Sequence, residues 1–570
     1  MLRRAIADFR TVQGRDHLFT YLAEGSVLVG IVLVYKLAAW RLPGQGFEEY
    51  TVVRRTISFL QMLSLCGMAV GIVRFVAMAP GPRERVRLLR SAMRLLAFVS
   101  AGLLVVFASF RPELSGLFFG SPDQTALVMP IAALTVAMVL HTAIYGYWRG
   151  AHHMTRANVL QIMNMAVAPN LAMWTFDDLG TVLWATAAAW AGFASIGLVP
   201  VLASPAAAPD TQRIQRMVRY GLLRLPGDAA FAGLLTIPVY LVNHVSGLAL
   251  GAQVAFGATL INVAGAAYSP ISLLLLPSAA SLLAKGQWEA LDNRIGRVMQ
   301  GVVLSALLMV LVFELLATPL LRIYLGPTGV NMEMVCRVMF LGAFLYAVHV
   351  ALRSVLDAYY AAPRNTINLL YSVVVALTMG VLYLFVVPKL IMAMILVLAP
   401  LATLAFLTWR DVRWVRADLR ASGDPGERPM RVVFLGWKDR PFLSLTQDLG
   451  IDPVTPGPRD PMRRKGAYLR RMEQAHRPDL VLVRDRDWMI PVLLNARRPV
   501  VFDLRGQATS GRLALVHQFA LLGAAGIIIG SEKDRPGIRW RRRHAVVVPL
   551  DDQGAALAAF LRGLSWKERA

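Results

Sequence analysis

Twelve long apolar stretches, spread through the first 409 residues, limit this chain more than any other feature. They lie near 19–40, 52–78, 90–110, 126–148, 157–176, 179–203, 218–243, 252–283, 298–321, 333–356, 365–387 and 389–409. Each can cross a hydrocarbon layer of about 30 Å as a helix of about 20 residues, whereas a core strand is far shorter. The whole chain of 570 residues is 56% hydrophobic and 16% charged, with mean hydropathy +0.53. Nearly all the apolar content precedes Trp409, and the sequence from Arg410 on reads as soluble. The expectation is an α-helical polytopic membrane protein, about 12 transmembrane helices, with a C-terminal α/β Rossmann-like domain.

Arginine sets the orientation. Arg3, Arg4, Arg10 and Arg15 precede the first stretch, and Arg83, Arg85, Arg87, Arg90 and Arg94 follow the second. Arg149 and Arg156, then Arg213, Arg216 and Arg219, then Lys285, Arg294 and Arg297 mark every second loop after that. The loops between hold only Arg41, Arg111, Arg322 and Lys389. Loops rich in Lys and Arg stay in the cytoplasm, so the N-terminus and the C-terminal domain are expected there. The formal charge of +24 therefore follows topology, and no nucleic-acid partner is expected. The opening MLRRAIADFRTVQGRDH lacks an apolar core and a small-residue cleavage site, so the first span is expected to be retained. Cys66 and Cys336, both inside apolar stretches, exclude a disulfide framework. No metal site and no cofactor are expected.

The sequence also repeats. SGLFFGSPDQTALVMPIAAL (115–134) parallels LLRIYLGPTGVNMEMVCRVM (320–339). WRGAHHMTRANVLQ (148–161) parallels AYYAAPRNTINLLY (358–371), which sets Asn158 opposite Asn368. GQGFEEYTVV (44–53) parallels LGAQVAFGAT (250–259), which sets Gly46 opposite Gly251. All three pairs share an offset of about 205–210 residues. Two six-helix lobes in the same orientation follow, 1–208 and 209–415, with a linker at 416–429 and a soluble domain at 430–570.

With a Gly turn between the first two spans of each lobe, and small residues plus Asn leading into spans five and eleven, the chain resembles the polysaccharide-export flippases (Wzx-like). These belong to the multidrug/oligosaccharidyl-lipid/polysaccharide exporter superfamily. The stretches closest to them are VVRRTISFLQMLSLCGMAVGIVRFVAM (52–78), AIYGYWRGAHHMTRANVLQ (143–161) and LLLLPSAASLLAKGQWEALDNRI (273–295). The resemblance covers about 1–415. It implies a flippase of the bacterial inner membrane that moves a lipid-linked (polyprenyl-pyrophosphate) oligosaccharide for polysaccharide assembly, by alternating access. Sugar and pyrophosphate would cross in a cavity while the polyprenyl tail stays among membrane lipids. A cytoplasmic glycosyltransferase or a polymerase/export complex are the implied partners. The alternatives are a multidrug or cation exporter of the same superfamily, a membrane-anchored glycosyltransferase, and a structural subunit of a polysaccharide synthase complex.

Charged and amide groups inside apolar stretches are the candidate working residues, because each costs several kcal/mol at membrane depth. Lys36, Arg54, Arg55, Arg74, Arg224, Asn243, Asn262 and Arg353 are the substrate-binding candidates, since arginine donates to phosphate in pairs. Glu24, Asp228 and Asp357 are the candidates for proton or sodium coupling. Each has a plainer reading beside this one. Arg54, Arg55 and Arg74 can reach for the interface, and Arg224–Asp228 and Arg353–Asp357 stand at i,i+4, the spacing of intrahelical ion pairs.

In the soluble part, MRVVFLG (430–436), RPDLVLVR (477–484), RPVVFDLRG (498–506), AGIIIGS (525–531) and HAVVVPL (544–550) read as parallel strands alternating with amphipathic stretches. This series resembles the N-terminal half of GT-B glycosyltransferases. The sequence ends without the second domain that holds the sugar nucleotide in that family, so a non-catalytic docking or regulatory role is the expectation. The basic runs MRRKGAYLRR (462–471) and WRRRH (540–544) are candidates for anionic headgroups.

Overall fold

The computed structural model describes residues 12–205, 211–360, 364–385 and 390–421. Beyond 421 it describes six strands and short pieces at 468–469, 472–473, 488–489, 492 and 504. Helix α1 (Val12–Arg41) leads through a turn to α2 (Gln45–Ser64), which continues after a 50° bend as α3 (Met68–Ala77). Glycines sit where the backbone takes positive φ, Gly44 at 70° in the turn and Gly67 at 71° in the bend. Helix α4 (Pro82–Ser109) opens on a proline, which has no N–H to leave unbonded there. The short α5 (Arg111–Phe119) stops at Gly120, φ 81°, before α6 (Thr125–Gly150). Next come α7 (Met154–Gln161), a π turn at Ile162–Val167 and α8 (Ala168–Thr175). Helix α9 (Leu179–Ala203) is capped by Asp178, whose carboxylate accepts from the Thr181 N–H at 2.7 Å.

The same order returns in the second half. Helix α10 (Thr211–Ser246) is followed by Gly247 at φ 86°, then α11 (Leu248–Ala266), a break, and α12 (Ser269–Ala284). Helix α13 (Trp288–Leu325) ends at Gly326, φ 63°, ahead of α14 (Pro327–Tyr359), α15 (Arg364–Phe385) and α16 (Leu390–Ala421). Ten helices among the described residues are long and apolar enough to span a membrane, eleven counting the bent pair α2–α3. Their outward residues are apolar, as Leu308 (60% exposed) and Leu315 (71%) on α13 illustrate, and such a surface belongs in lipid. The chain is a membrane protein.

Several sequence expectations change here. The turn glycines are Gly44 and Gly247, whereas Gly46 and Gly251 lie inside α2 and α11. The stretch 252–283 is two helices, parted just before Pro270, which stands in the first turn of α12. Helix α16 runs to Ala421, so 416–421 of the expected linker is helical. The expected lobe boundary at 208/209 falls outside the described residues.

The chain divides into two compact units. The first comprises Met1–Ala266, Ala306–Tyr346 and Leu369–Leu404, and the second Ala267–Ser305, Ala347–Asn368 and Ala405–Ala570. In the first, a core of Leu65, Ile72, Leu88, Val139, Ile144 and Met217 joins α3, α4, α6 and α10. Close approach there needs glycine, since a Cβ on Gly150 would stand 2.7 Å from the Val73 carbonyl. In the second, six strands pair in parallel in the order β2-β1-β3-β4-β5-β6. They are β1 (Met430–Leu435), β2 (Ile451–Val454), β3 (Leu480–Val483), β4 (Val500–Asp503), β5 (Gly526–Ile529) and β6 (Ala545–Val547). All four side chains of β3 are buried, so that strand is covered on both faces. The basic runs, and most of the stretches expected to connect the strands, lie outside the described residues.

Candidate functional site

Arg54 and Arg55 are neighbours on α2, and successive helical residues point about 100° apart. Only one can follow the inward face with Thr51, Val52 and Thr56. That one is Arg55, 5% exposed, while Arg54 is half-buried. Arg55 Nη2 donates to Thr259 Oγ1 on α11 at 3.0 Å. The Thr259 hydroxyl gives its own proton to the Ala255 carbonyl at 2.9 Å, so it accepts from both Arg55 and the Tyr35 hydroxyl, the latter at 3.2 Å. Arg55 Nε has no hydrogen-bond partner, and among the described residues no carboxylate forms an ion pair with Arg54 or Arg55. A buried guanidinium without a counter-charge is costly by several kcal/mol. The site is electrostatically short of an anion.

Aromatic rings close over this cation. Tyr35 meets Phe47, Tyr50 and Phe256 edge-on at 6.5, 5.3 and 5.5 Å between ring centres, and Tyr324 stands 6.5 Å from Phe256. Hydrogen bonds stitch the same layer. The Tyr240 hydroxyl donates to Thr56 at 3.0 Å, the Thr51 hydroxyl to the Ala252 carbonyl at 3.4 Å, and the Tyr324 hydroxyl to the Val32 carbonyl at 2.6 Å. Every one of these bonds joins α1 or α2 to α10, α11 or α13. They tie these helices together from Thr51 and Ala252, near the turns at Gly44 and Gly247, to Thr56 and Thr259 at mid-helix, where Arg55 lies.

Among the other candidates, Asn262 belongs to this cluster. It stands one turn after Thr259 on α11, and its Oδ1 accepts from the Tyr346 hydroxyl at 3.2 Å. Lys36, next to Tyr35, is exposed. Arg74 is exposed, with its guanidinium 4.9 Å from the centre of the Tyr220 ring. Arg224 and Asp228 pair along α10 at 3.8 Å. Asn243 is buried, donates to the Phe118 carbonyl at 2.6 Å, and fills the notch left by the missing side chain of Gly251. Glu24 is exposed and accepts from the Tyr145 hydroxyl at 3.4 Å. Arg353 and Asp357 belong to the second unit, where the Asn365 amide donates to the Arg353 carbonyl at 2.8 Å and to the Asp357 carboxylate at 2.6 Å.

Sequence reasoning did not single out Tyr35, Tyr240, Thr259 or Tyr346. A signal was present at Thr259 and Asn262, two polar residues three apart in an apolar run, which therefore share a helix face.

No family model matches this chain, and no curated protein matches it. Solved structures do. A multidrug resistance MATE family transporter of the MOP superfamily, in its inward-facing conformation, matches with a TM-score of 0.53 at 12% identity, over 71% of this chain and 96% of its own. The eukaryotic MATE transporter AtDTX14 matches at 0.52 and 11%, over 71% and 99%. Lipid II flippase MurJ, inward closed, matches at 0.50 and 10%, over 71% and 90%. Over that share of its length, this chain has the fold of the MOP superfamily transporters.

Proposed function

We propose that the chain is a flippase of the bacterial inner membrane that carries a polyprenyl-pyrophosphate-linked oligosaccharide outward for polysaccharide assembly. The carrying observation is Arg55, a buried cation whose Nη2 donates to a neutral hydroxyl and whose Nε is unsatisfied. Pyrophosphate supplies the missing charge and accepts the bidentate donation that a guanidinium offers. Lys36 and Arg54, the sequence neighbours of Tyr35 and Arg55, are the further basic candidates. The fold admits multidrug transporters and a lipid II flippase alike, and a lipophilic cation would meet repulsion at Arg55.

In this reading the turns at Gly44 and Gly247 face outward, opposite the arginine-rich loops. Substrate enters from the cytoplasmic side. Lobes 1–208 and 209–415 rock about the site, and Glu24 and Asp228 bind the coupling proton or sodium ion. The C-terminal domain, like half of a GT-B enzyme in its strand series, is non-catalytic and serves partners in sugar assembly.

Ligand-dependent stability tests the reading. A short-chain polyprenyl pyrophosphate at 100 times its Kd stabilises the protein by about 2.7 kcal/mol if it binds only the folded state. It should raise the melting midpoint of the purified protein, the matching polyprenyl alcohol should not, and Arg55→Gln should abolish the difference. Equal effects of alcohol and pyrophosphate would remove the anion from the account.

A further inference from the structure

The turn between α6 and α7, in the first unit, gathers positive charge that the site above does not use. Trp148 ends the apolar run of α6 and is buried. Its ring meets two basic side chains. The Arg156 guanidinium carbon stands 4.8 Å from its centre, and the His153 ring packs edge-on at 5.5 Å. Arg85, from the first turn of α4, reaches the same turn and donates to the Ala151 carbonyl at 3.4 Å. His152 stands in the turn itself at φ 64°, a left-handed backbone that glycine takes more easily.

Nothing balances these charges. Among the described residues, no carboxylate pairs with Arg85, His152, His153 or Arg156. Glu84, beside Arg85 in sequence, is bonded to Arg87 at 2.7 Å. Arg85 has a guanidinium with five N–H groups, and its Nε is buried without a partner. Burial, and then the charges of Arg156, Arg85 and His152, hold the pKa of His153 below its ordinary value. An arginine that only marks a loop lies in water, as Arg83 and Arg94 do. Arg85 is instead half-buried against a carbonyl, and Arg156 is stacked on a buried ring. Both are held where the apolar sequence of α6 ends, the depth of lipid headgroups.

We propose that Arg85, His153 and Arg156 bind the phosphate of an anionic phospholipid from the adjoining leaflet. The unbonded N–H groups of two guanidinium forks match phosphate oxygens, and the headgroup supplies the charge that the turn lacks. Bound there, it joins α4 to α7 across the turn. The site depends on neither the cargo nor the orientation proposed above, because both leaflets carry phospholipid.

Hydrogen exchange at 151–157 tests this on the full-length protein in nanodiscs, with phosphatidylglycerol titrated into phosphatidylcholine. Exchange should slow as phosphatidylglycerol rises. One arginine near an anionic surface contributes about 5-fold in affinity, so the phosphatidylglycerol fraction at half effect should rise about 5-fold in Arg85→Gln and in Arg156→Gln. Arg94→Gln removes an exposed charge outside the turn and should leave it in place. An anion beside His153 raises its pKa, so binding should tighten as pH falls through that titration, and His153→Gln should flatten the dependence. Equal exchange in the two lipids overturns the proposal, as does a half-effect point that moves as far in Arg94→Gln as in Arg156→Gln. Inorganic phosphate that slows the turn to the same extent in pure phosphatidylcholine also overturns it, since the lipid then has no part. Should Arg85→Gln disturb the packing of α4, Arg156→Gln decides alone.

Discussion

Arg55 and Thr259 meet at 3.0 Å although 204 residues separate them in the sequence. The bond joins α2 to α11, and the Thr259 hydroxyl that accepts it also accepts from Tyr35 on α1. One hydroxyl thus holds three helices together above a buried positive charge. Under the proposed function, an incoming anion would give Arg55 another acceptor and so loosen this joint.

Thr259→Val keeps the shape and removes the hydroxyl. Arg55 and Tyr35 then lose their shared acceptor, at a cost of about 1–3 kcal/mol. Thermal unfolding in detergent should show the lower midpoint. An unchanged midpoint would mean that the three helices are held by ring packing alone.

Two glycines with the same sign of φ separate strain from space. Gly44 has nothing within 4 Å of an added Cβ, whereas one on Gly67 would stand 2.1 Å from the Gly221 carbonyl oxygen. Gly44→Ala should cost about 1–3 kcal/mol from backbone strain. Gly67→Ala should cost that and about 1–3 kcal/mol more from overpacking, with a visibly lower folded yield. Equal losses would place the α3–α10 contact farther apart than described.

Asp178 offers a pH test outside the spans. Hydrogen bonds from the Thr181 backbone N–H and then its hydroxyl hold this carboxyl's pKa below its ordinary value. A depressed folded-state pKa means that the stabilisation is complete above the unfolded value of about 3.9 and is lost as pH falls through the folded one. Asp178→Ala should cost about 1 kcal/mol near neutrality. That difference from wild type should shrink in melts taken below pH 4, and a difference that persists there would assign the cap to something other than the charge.

Hydropathy located the crossings because lipid demands it, but it does not register bends. The run from Gly251 to Leu283 stays apolar through the break before Pro270, and 52–78 stays apolar through Gly67, so each read as one span. PGQG and GLALG each offer two glycines, and only backbone φ distinguishes Gly44 and Gly247 from their helical neighbours. Arg55 was legible as a charge in an apolar stretch. Its difference from Arg54 was not, since the inward face of α2 is set by α10 and α11, some 200 residues away. Thr259 and Tyr35 matter through a shared bond, which no local pattern encodes. Glu473 was hidden for another reason. It lies in an amphipathic stretch where a carboxylate ordinarily faces water, yet it is fully buried.

Transport in proteoliposomes tests the central claim most directly. A fluorescent polyprenyl-pyrophosphate oligosaccharide, placed in one leaflet, would be followed to the other with wild type, Arg55→Lys and Arg55→Ala. Loss of a charged hydrogen-bonding group to the substrate is worth about 1.5–3 kcal/mol, which is on the order of 10- to 150-fold in rate. The account predicts movement by wild type, partial movement by Arg55→Lys, and a loss of that order in Arg55→Ala. Wild-type rates in Arg55→Ala, or a protein that moves lipophilic cations and leaves the pyrophosphate lipid in place, would contradict it.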